Sequence, residues 1–256
     1  GTNDVIQGNY IGVGADGKTP IPTTGWALML GGLGGTVVGG TVPGAGNVVS
    51  GGNASGGILV ASPDVVVQGN YIGTDATGSI APPNAGRGIL VNSFGLRALI
   101  GGPTPAAGNV ISGNTITGLT IGAPNAQVLN NTIGYNAART AALPNGVGGI
   151  AFSGATAASA IVGAPGQGNL IAGNTGVGVL VASGTGEGNA IRFNRIFGNS
   201  GLGLDLKGNG VSVNDGLRET GVNQMIDQPV ITSSIVTGTG ATTKLFVMGY
   251  VGSAAG

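Results

Sequence analysis

Cysteine and histidine are both absent from the sequence. Without cysteine there is no disulfide framework, and no thiol from which a redox compartment could be inferred. Without histidine the commonest general base and the commonest metal ligand are missing. Charge is scarce as well, at 7 % of residues against roughly 25 % in ordinary domains. Nine basic residues balance nine acidic ones, which leaves no basic field for nucleic acid and no acidic tail. Long apolar runs are lacking too. No charge falls between Lys18 and Asp64, but Gly, Thr, Asn and Pro interrupt that stretch throughout. Its densest apolar run, Trp26 to Leu30, is far short of the ~20 residues of a membrane span. No membrane span is expected. No signal peptide is visible, although Gly1 is not a natural start and leaves room for a removed leader.

What the chain does have is glycine: 56 Gly and 12 Pro among 256 residues. Such a fraction without a period would suggest disorder; with a period it indicates a repeat architecture. The apolar fraction is 41 % and the mean hydropathy is +0.36, enough for a core.

The period emerges from three short words. The first is a Gly followed by alternating apolar residues: Gly57-Ile58-Leu59-Val60, Gly88-Ile89-Leu90-Val91, Gly118-Leu119-Thr120-Ile121, Gly149-Ile150-Ala151-Phe152, Gly178-Val179-Leu180-Val181 and Gly203-Leu204-Asp205-Leu206. Successive copies lie 31, 30, 31, 29 and 25 positions apart, and Ala27-Leu28-Met29-Leu30 reads as an earlier copy. The other two words alternate. One begins Gln7-Gly8-Asn9-Tyr10-Ile11-Gly12 and returns at Gln68 to Gly73 and Asn130 to Gly134, with Asn9, Asn70 and Asn131 spaced by 61 and 61. The other pairs Val38-Gly39-Gly40, Ile100-Gly101-Gly102 or Val162-Gly163-Ala164 with Asn47-Val48-Val49-Ser50, Asn109-Val110-Ile111-Ser112 or Asn169-Leu170-Ile171-Ala172. The unit is a coil of about thirty residues, and two coils form a super-repeat.

Period-two alternation, β-branched residues and frequent Gly exclude a helical repeat. Alternation over three or four residues means very short strands, about three to a coil. They find partners by stacking in parallel on the equivalent strands of neighbouring coils. The fold expected is therefore all-β: a right-handed parallel β-helix over residues 1–208, a closing loop segment over 209–228, and C-terminal β-strands over 229–256. Those last strands, Pro229 to Thr237 and Thr242 to Val251, read as the start of a β-sandwich module or an exchanged strand pair. Ile58, Ile89, Leu119, Ile150, Val179 and Leu204 are expected to stack as one inward ladder, and Val60, Val91, Ile121, Phe152, Val181 and Leu206 as a second. The recurrent Asn residues suit corners, where Asn tolerates left-handed φ and its amide can bond the next Asn.

At these words the sequence resembles a known family. "GNYIGTDATG" and "PNAGRGILV", followed by "IGGPTPAAGNVISGN", are similar to the parallel β-helix repeats of large bacterial extracellular and surface proteins. "NGVSVNDGLRETGVNQMIDQPVITSS" resembles the segment that closes such helices, and "TTKLFVMGYVGSAAG" the opening of the β-rich module that follows. The resemblance covers nearly the whole chain and implies an extracellular or cell-surface location. The wider pectate-lyase-like superfamily contains polysaccharide lyases, glycosidases, epimerases, adhesins and tailspikes, so fold does not choose function.

A glycosidase needs two carboxylates flanking the scissile bond, ~5 to 9.5 Å apart. On a solenoid they would sit at outward positions of adjacent coils. Those positions are Leu59, Leu90, Thr120, Ala151, Leu180 and Asp205, of which only the last is acidic. Arg87 and Arg97, at a corner and before a different strand, do not supply the basic set of a lyase. No catalytic residue is assigned. Asp16 and Asp75 lie in loops after the Ile-Gly words and read either as metal or sugar contacts or as Asx turns. Asp64, after Pro63, reads as a turn acid. Tyr10 and Tyr71, one super-repeat apart, read as a sugar-stacking pair or as corner packing, and Trp26 as packing or capping. The closing segment gathers Asn214, Asp215, Glu219 and Asp227, oxygen ligands suited to a hard cation such as Ca²⁺, although Leu217 and Arg218 interrupt the run.

The function expected from these features is non-catalytic: an extracellular structural or scaffold protein that self-associates into a homo-oligomer, filament or surface layer, with cell-surface glycan as a further partner. The alternative is a carbohydrate-binding or polysaccharide-processing β-helix. An uncharged flank points to the scaffold; a groove lined by acids and aromatics would point to the alternative.

Overall fold

The structure, a computed structural model, describes residues 2–53, 55–211, 229–238 and 244–251. It is a right-handed parallel β-helix of seven coils, each adding one strand to each of three parallel sheets. The first sheet holds Val5–Ile6, Val37–Gly39, Val66–Gln68, Leu99–Gly101, Gln127–Leu129, Ile161–Val162 and Ala190–Ile191. The second holds Tyr10–Ile11, Val48–Val49, Tyr71–Ile72, Val110–Ile111, Thr132–Ile133, Leu170–Ala172 and Arg195–Phe197. The third holds Trp26–Leu30, Gly56–Val60, Arg87–Val91, Thr117–Ile121, Gly148–Phe152, Val177–Ala182 and Leu204–Lys207. No α-helix occurs among the described residues, only a 3₁₀ turn at Pro105–Ala107.

The register of the third sheet places the two expected apolar ladders inward: Leu28, Ile58, Ile89, Leu119, Ile150, Val179 and Leu204 stack in turn, and so do Leu30 through Leu206. Each shorter strand of the other sheets points one residue inward. Ile6, Val38, Val67, Ile100, Val128, Val162 and Ile191 form the ladder of the first sheet. Ile11, Val49, Ile72, Ile111, Ile133, Ile171 and Ile196 form that of the second. Interior rungs are wholly buried. Leu204, the last rung of its ladder, is 42 % exposed, because no further coil covers it among the described residues.

The corners differ in chemistry. Between the first and second sheets, Asn9, Asn47, Asn70, Asn109, Asn131, Asn169 and Asn194 form a continuous amide ladder, each Nδ2 donating to the next Oδ1 at 2.8–3.0 Å. The same Oδ1 also accepts the preceding rung's backbone N–H, as Asn131 Oδ1 does from Asn109 N. The second Nδ2 proton goes to a strand carbonyl, Ile100 O in the case of Asn131. Between the second and third sheets Asn84, Asn114, Asn145, Asn174 and Asn199 repeat the device. The expectation that these residues use left-handed φ is corrected: none of the ladder asparagines has positive φ. That conformation falls to the residue before, Gly8, Gly69 and Asn130. The third corner, between the third sheet and the next coil, places left-handed φ in most coils on a residue other than glycine. Asn3, Asp64, Arg97, Asn125 and Ser159 all have φ between 53° and 59° there.

Close approach at the ladder explains part of the glycine content. A Cβ on Gly46, Gly108 or Gly168 would lie 1.9–2.1 Å from the carbonyl oxygen of Gly69, Asn130 or Phe193 in the next coil. No side chain fits there.

The C-terminal strands Pro229–Thr237 and Lys244–Val251 pair antiparallel, with an irregularity between Ile231 and Ser233. Ile235 and Val236 on one strand, and Phe246, Val247 and Met248 on the other, are all more than half exposed.

Candidate functional site

Three places gather polar or aromatic side chains: the outward face of the third sheet, the long loops of alternate coils, and the outward row of the second sheet.

The outward row of the third sheet runs Met29, Leu59, Leu90, Thr120, Ala151, Leu180 and Asp205, all in register. Met29 is 68 % exposed, while Leu59, Leu90, Ala151 and Leu180 are half-buried. Thr120 is buried and its hydroxyl bonds that of Thr117. Asp205 is buried too, and its carboxylate accepts the backbone N–H groups of Gly208 and Gly210 at 3.1 and 3.2 Å. It holds the turn that ends the last strand. Arg87 begins a strand of this sheet rather than standing at a corner, and lies in register with Gly56 and, one coil earlier, Trp26. Trp26 is half-buried. It packs where glycine leaves space: a Cβ on Gly56 would come within 2.9 Å of the indole.

The long loops, over residues 12–25, 73–86 and 134–147, follow the second-sheet strands of the first, third and fifth coils. They stack on one another: Ala76 N donates to Gly17 O, and Ala137 N to Gly78 O, each at 2.9 Å. Asp16 accepts the Lys18 and Thr19 amides and the Thr19 hydroxyl. The Thr19 hydroxyl and these amides lower its carboxyl from the ordinary value to about 2. Asp75 is buried and accepts from Ser79 N, Ile80 N and the Thr77 hydroxyl. Burial pulls its carboxyl upward, but these donors outweigh it, and the group lies below the ordinary range. The equivalent residue one super-repeat on is Asn136, whose Oδ1 accepts Thr140 N and Ala141 N in the same way. A neutral amide does the same work, so the pattern is a turn.

Asp64 lies in a turn, as expected, with φ 56°. Its carboxylate takes a bidentate bond from Arg97 Nε and Nη2 at 2.7 and 2.6 Å, across one coil of the third corner. The Arg97 guanidinium holds the Asp64 carboxyl below its ordinary value.

Tyr10 and Tyr71 stand in register through Val48 on the outward row of the second sheet. Each ring supports its own loop, Tyr10 under Gly17 and Tyr71 under Gly78, where a Cβ would sit 3.2 and 2.8 Å from ring carbons. The two rings also line an open cavity of about 470 Å³, bounded by Thr41, Val42 and Pro43. In the loop of the fifth coil, Tyr135 meets Phe197, at the end of the last second-sheet strand, edge-to-face at 6.1 Å. Sequence reasoning missed that contact and the stacked loops.

Among the described residues no group of three or more Asp, Glu, His or Cys could hold a metal. Asn214, Asp215, Glu219 and Asp227 lie outside the described residues. No described helix is long and apolar enough to cross a membrane. In comparisons with known proteins, no family model, no curated protein and no solved structure matches the chain. The class of protein is thus defined by its geometry alone: a parallel β-solenoid.

Proposed function

We propose that the chain is a non-catalytic structural segment of an extracellular or cell-surface protein of the pectate-lyase-like β-helix type, a rigid scaffold whose uncharged flanks associate laterally or end to end. The observation that carries this reading is the outward row of the third sheet. Over six coils it presents apolar side chains and Thr120, and its single carboxylate, Asp205, is engaged by backbone amides. An acid pair for glycoside chemistry needs two carboxylates facing one bond. Asp16, Asp64 and Asp75 are likewise bound to their own loops or to Arg97. Surface charge is one device by which proteins resist association, and these flanks have little of it. Ca²⁺ bound by Asn214, Asp215, Glu219 and Asp227 belongs to the proposal as a clamp on the closing segment.

The test is twofold. Pectin and alginate incubated with the chain should release no reducing ends and no unsaturated products. Negative-stain images of native material should show filaments or layers. Product release abolished by Asp205→Asn, together with single dispersed particles, would favour polysaccharide processing instead. For the cation, the unfolding temperature in about 1 mM Ca²⁺, a level that loads extracellular modules, should exceed that in chelator, and Asp215→Asn should remove the difference.

A further inference from the structure

The seventh coil breaks the repeat only on its outside. Where the third coil reads Gln68-Gly69-Asn70-Tyr71-Ile72-Gly73, it reads Arg192-Phe193-Asn194-Arg195-Ile196-Phe197. Asn194 still extends the amide ladder and Ile196 the apolar one. The other four positions hold two arginines and two phenylalanines, all exposed. Each guanidinium lies over a ring: Arg192 is 5.9 Å from the Phe193 centroid, and Arg195 is 5.7 Å from that of Phe197.

The shape of this arginine–phenylalanine strip narrows what it can bind. Phe193 stands at the turn between the Ala190–Ile191 and Arg195–Phe197 strands, on a convex corner of the rod. It is 57 % exposed and has φ 61°, at the position where other coils place Gly8, Gly69 or Asn130. A bulky residue is costly in that conformation, and the ring recovers little by packing, since it faces solvent. Small molecules bind in concave sites. A phenyl ring held out on a corner has no walls around it, so it is buried only by a partner that deforms to receive it. The interfacial layer of a lipid surface does so, taking up aromatic side chains to a depth of about 5–10 Å.

Charge fits the same partner. No acidic residue occurs between Asp75 and Glu187. Glu187 lies beyond the Ala190–Ile191 strand, at the third corner, where its carbonyl accepts Ser159 N. Asp205 is buried and held by its own turn. Neither Arg192 nor Arg195 has a carboxylate partner among the described residues. Arg139 adds a third cation to the flank. Its Nε donates to the Thr132 hydroxyl at 2.9 Å, and Thr132 is in register with Leu170 and then Arg195. Two coil rises, about 9.6 Å, separate those rungs, so the guanidiniums reach separate headgroups, and each can donate in pairs to a phosphate.

We propose that this strip docks the β-helix on an anionic phospholipid surface: Phe193 and Phe197 enter the interfacial layer, and Arg192, Arg195 and Arg139 pair with headgroup phosphates. Contact of this kind is peripheral and reversible. The proposal goes beyond the scaffold reading and needs neither assembly nor inactivity, so either can fail alone.

The experiment is co-flotation of the whole chain with vesicles, made either of an equal mixture of phosphatidylglycerol and phosphatidylcholine or of phosphatidylcholine alone. Flotation is chosen over sedimentation so that assembled chain does not register as bound. The mixed vesicles should carry the chain upward and the neutral ones should not, with binding fading as salt rises. An arginine near an anionic surface contributes about fivefold in partitioning. Arg192→Gln with Arg195→Gln should therefore weaken binding on the order of tenfold or more, while Arg192→Lys with Arg195→Lys keeps most of it. Phe193→Gly should weaken binding several-fold while the unfolding temperature holds or rises, because glycine takes positive φ without strain. No binding to the mixed vesicles, or binding unchanged by the double glutamine substitution or by Phe193→Gly, would overturn the proposal. So would a chain that ignores vesicles but is retained on immobilised polyglutamate, which would assign the strip to an acidic protein.

Discussion

Two of the three corners of this solenoid are closed by continuous asparagine ladders, and the third by left-handed turns with only scattered side-chain bonds. At the asparagine corners every amide hydrogen of an interior rung has a partner within the stack, as Asn109 and Asn131 show. Backbone groups that would be orphaned where a strand ends are thereby satisfied in the interior. The third corner has no such ladder. It turns through left-handed residues of unlike chemistry, Asn3, Asp64, Arg97, Asn125 and Ser159, and several of these stand in solvent. A parallel stack needs the same geometry at each coil, but not the same means. Identical residues are required where like side chains bond one another from coil to coil; where the turn rests mainly on backbone conformation, with isolated bonds such as Asp64 to Arg97, composition can vary.

The largest effect should come from opening the asparagine corner. Asn131→Ala removes bonds to Ile100 O, Leu129 O and Asn169 Oδ1, and takes the acceptor from Asn109 N and Nδ2. Leaving several buried groups unpaired at about 1–3 kcal/mol each should cost on the order of 4 kcal/mol in chemical denaturation. Close behind is a charge in the core. Ile150→Asp buries an unpaired carboxylate and should cost several kcal/mol, whereas Ala151→Asp, on the outward face of the same strand, should cost less than about 1 kcal/mol. Equal losses at 150 and 151 would mean that the inward and outward faces are misassigned.

At the third corner the change should be small. Arg97→Gly loses an exposed ion pair and relieves a positive φ, so its net effect should stay within about 1 kcal/mol of zero. A loss as large as that of Asn131→Ala would erase the distinction between corners. The smallest effect is a pH dependence. Asp75 has a lowered carboxyl in the folded state, so the stability it contributes is present above its unfolded value near about 3.9 and is lost as pH falls through its folded value. Asp75→Asn should remove that part of the acid sensitivity and, at neutral pH, lose only the small share that depends on the charge, since an amide oxygen can accept the same loop amides, as Asn136 Oδ1 does in the equivalent loop.

The fold was legible because the period is strong: Asn9, Asn70 and Asn131 recur at 61 and 61, and alternating apolar words mark every coil. The second amide ladder could have been found the same way. Asn84, Asn114, Asn145 and Asn174 each lie four residues before a Gly-led word, so they share its spacing. The stacking of alternate loops was not legible. It depends on backbone bonds such as Ala76 N to Gly17 O, to which side-chain identity gives no clue. The pairing of Asp64 with Arg97 escaped because Asp64 read as a turn acid and Arg97 only as a residue before a different strand, until the coils fixed their register. The seventh coil's arginine–phenylalanine strip escaped for the opposite reason: it breaks the repeat, and attention to the repeat passes over what departs from it.

Native-state hydrogen exchange compares the two kinds of corner most directly. The backbone amides of Asn109 and Asn131 donate to buried Oδ1 atoms of the next rung, while those of Arg97 and Asn125 donate to carbonyls at the third corner. The account predicts that Asn109 and Asn131 exchange only through global unfolding, and that Arg97 and Asn125 exchange faster through local opening. Equal protection at all four positions, or faster exchange at Asn109 and Asn131, would contradict it.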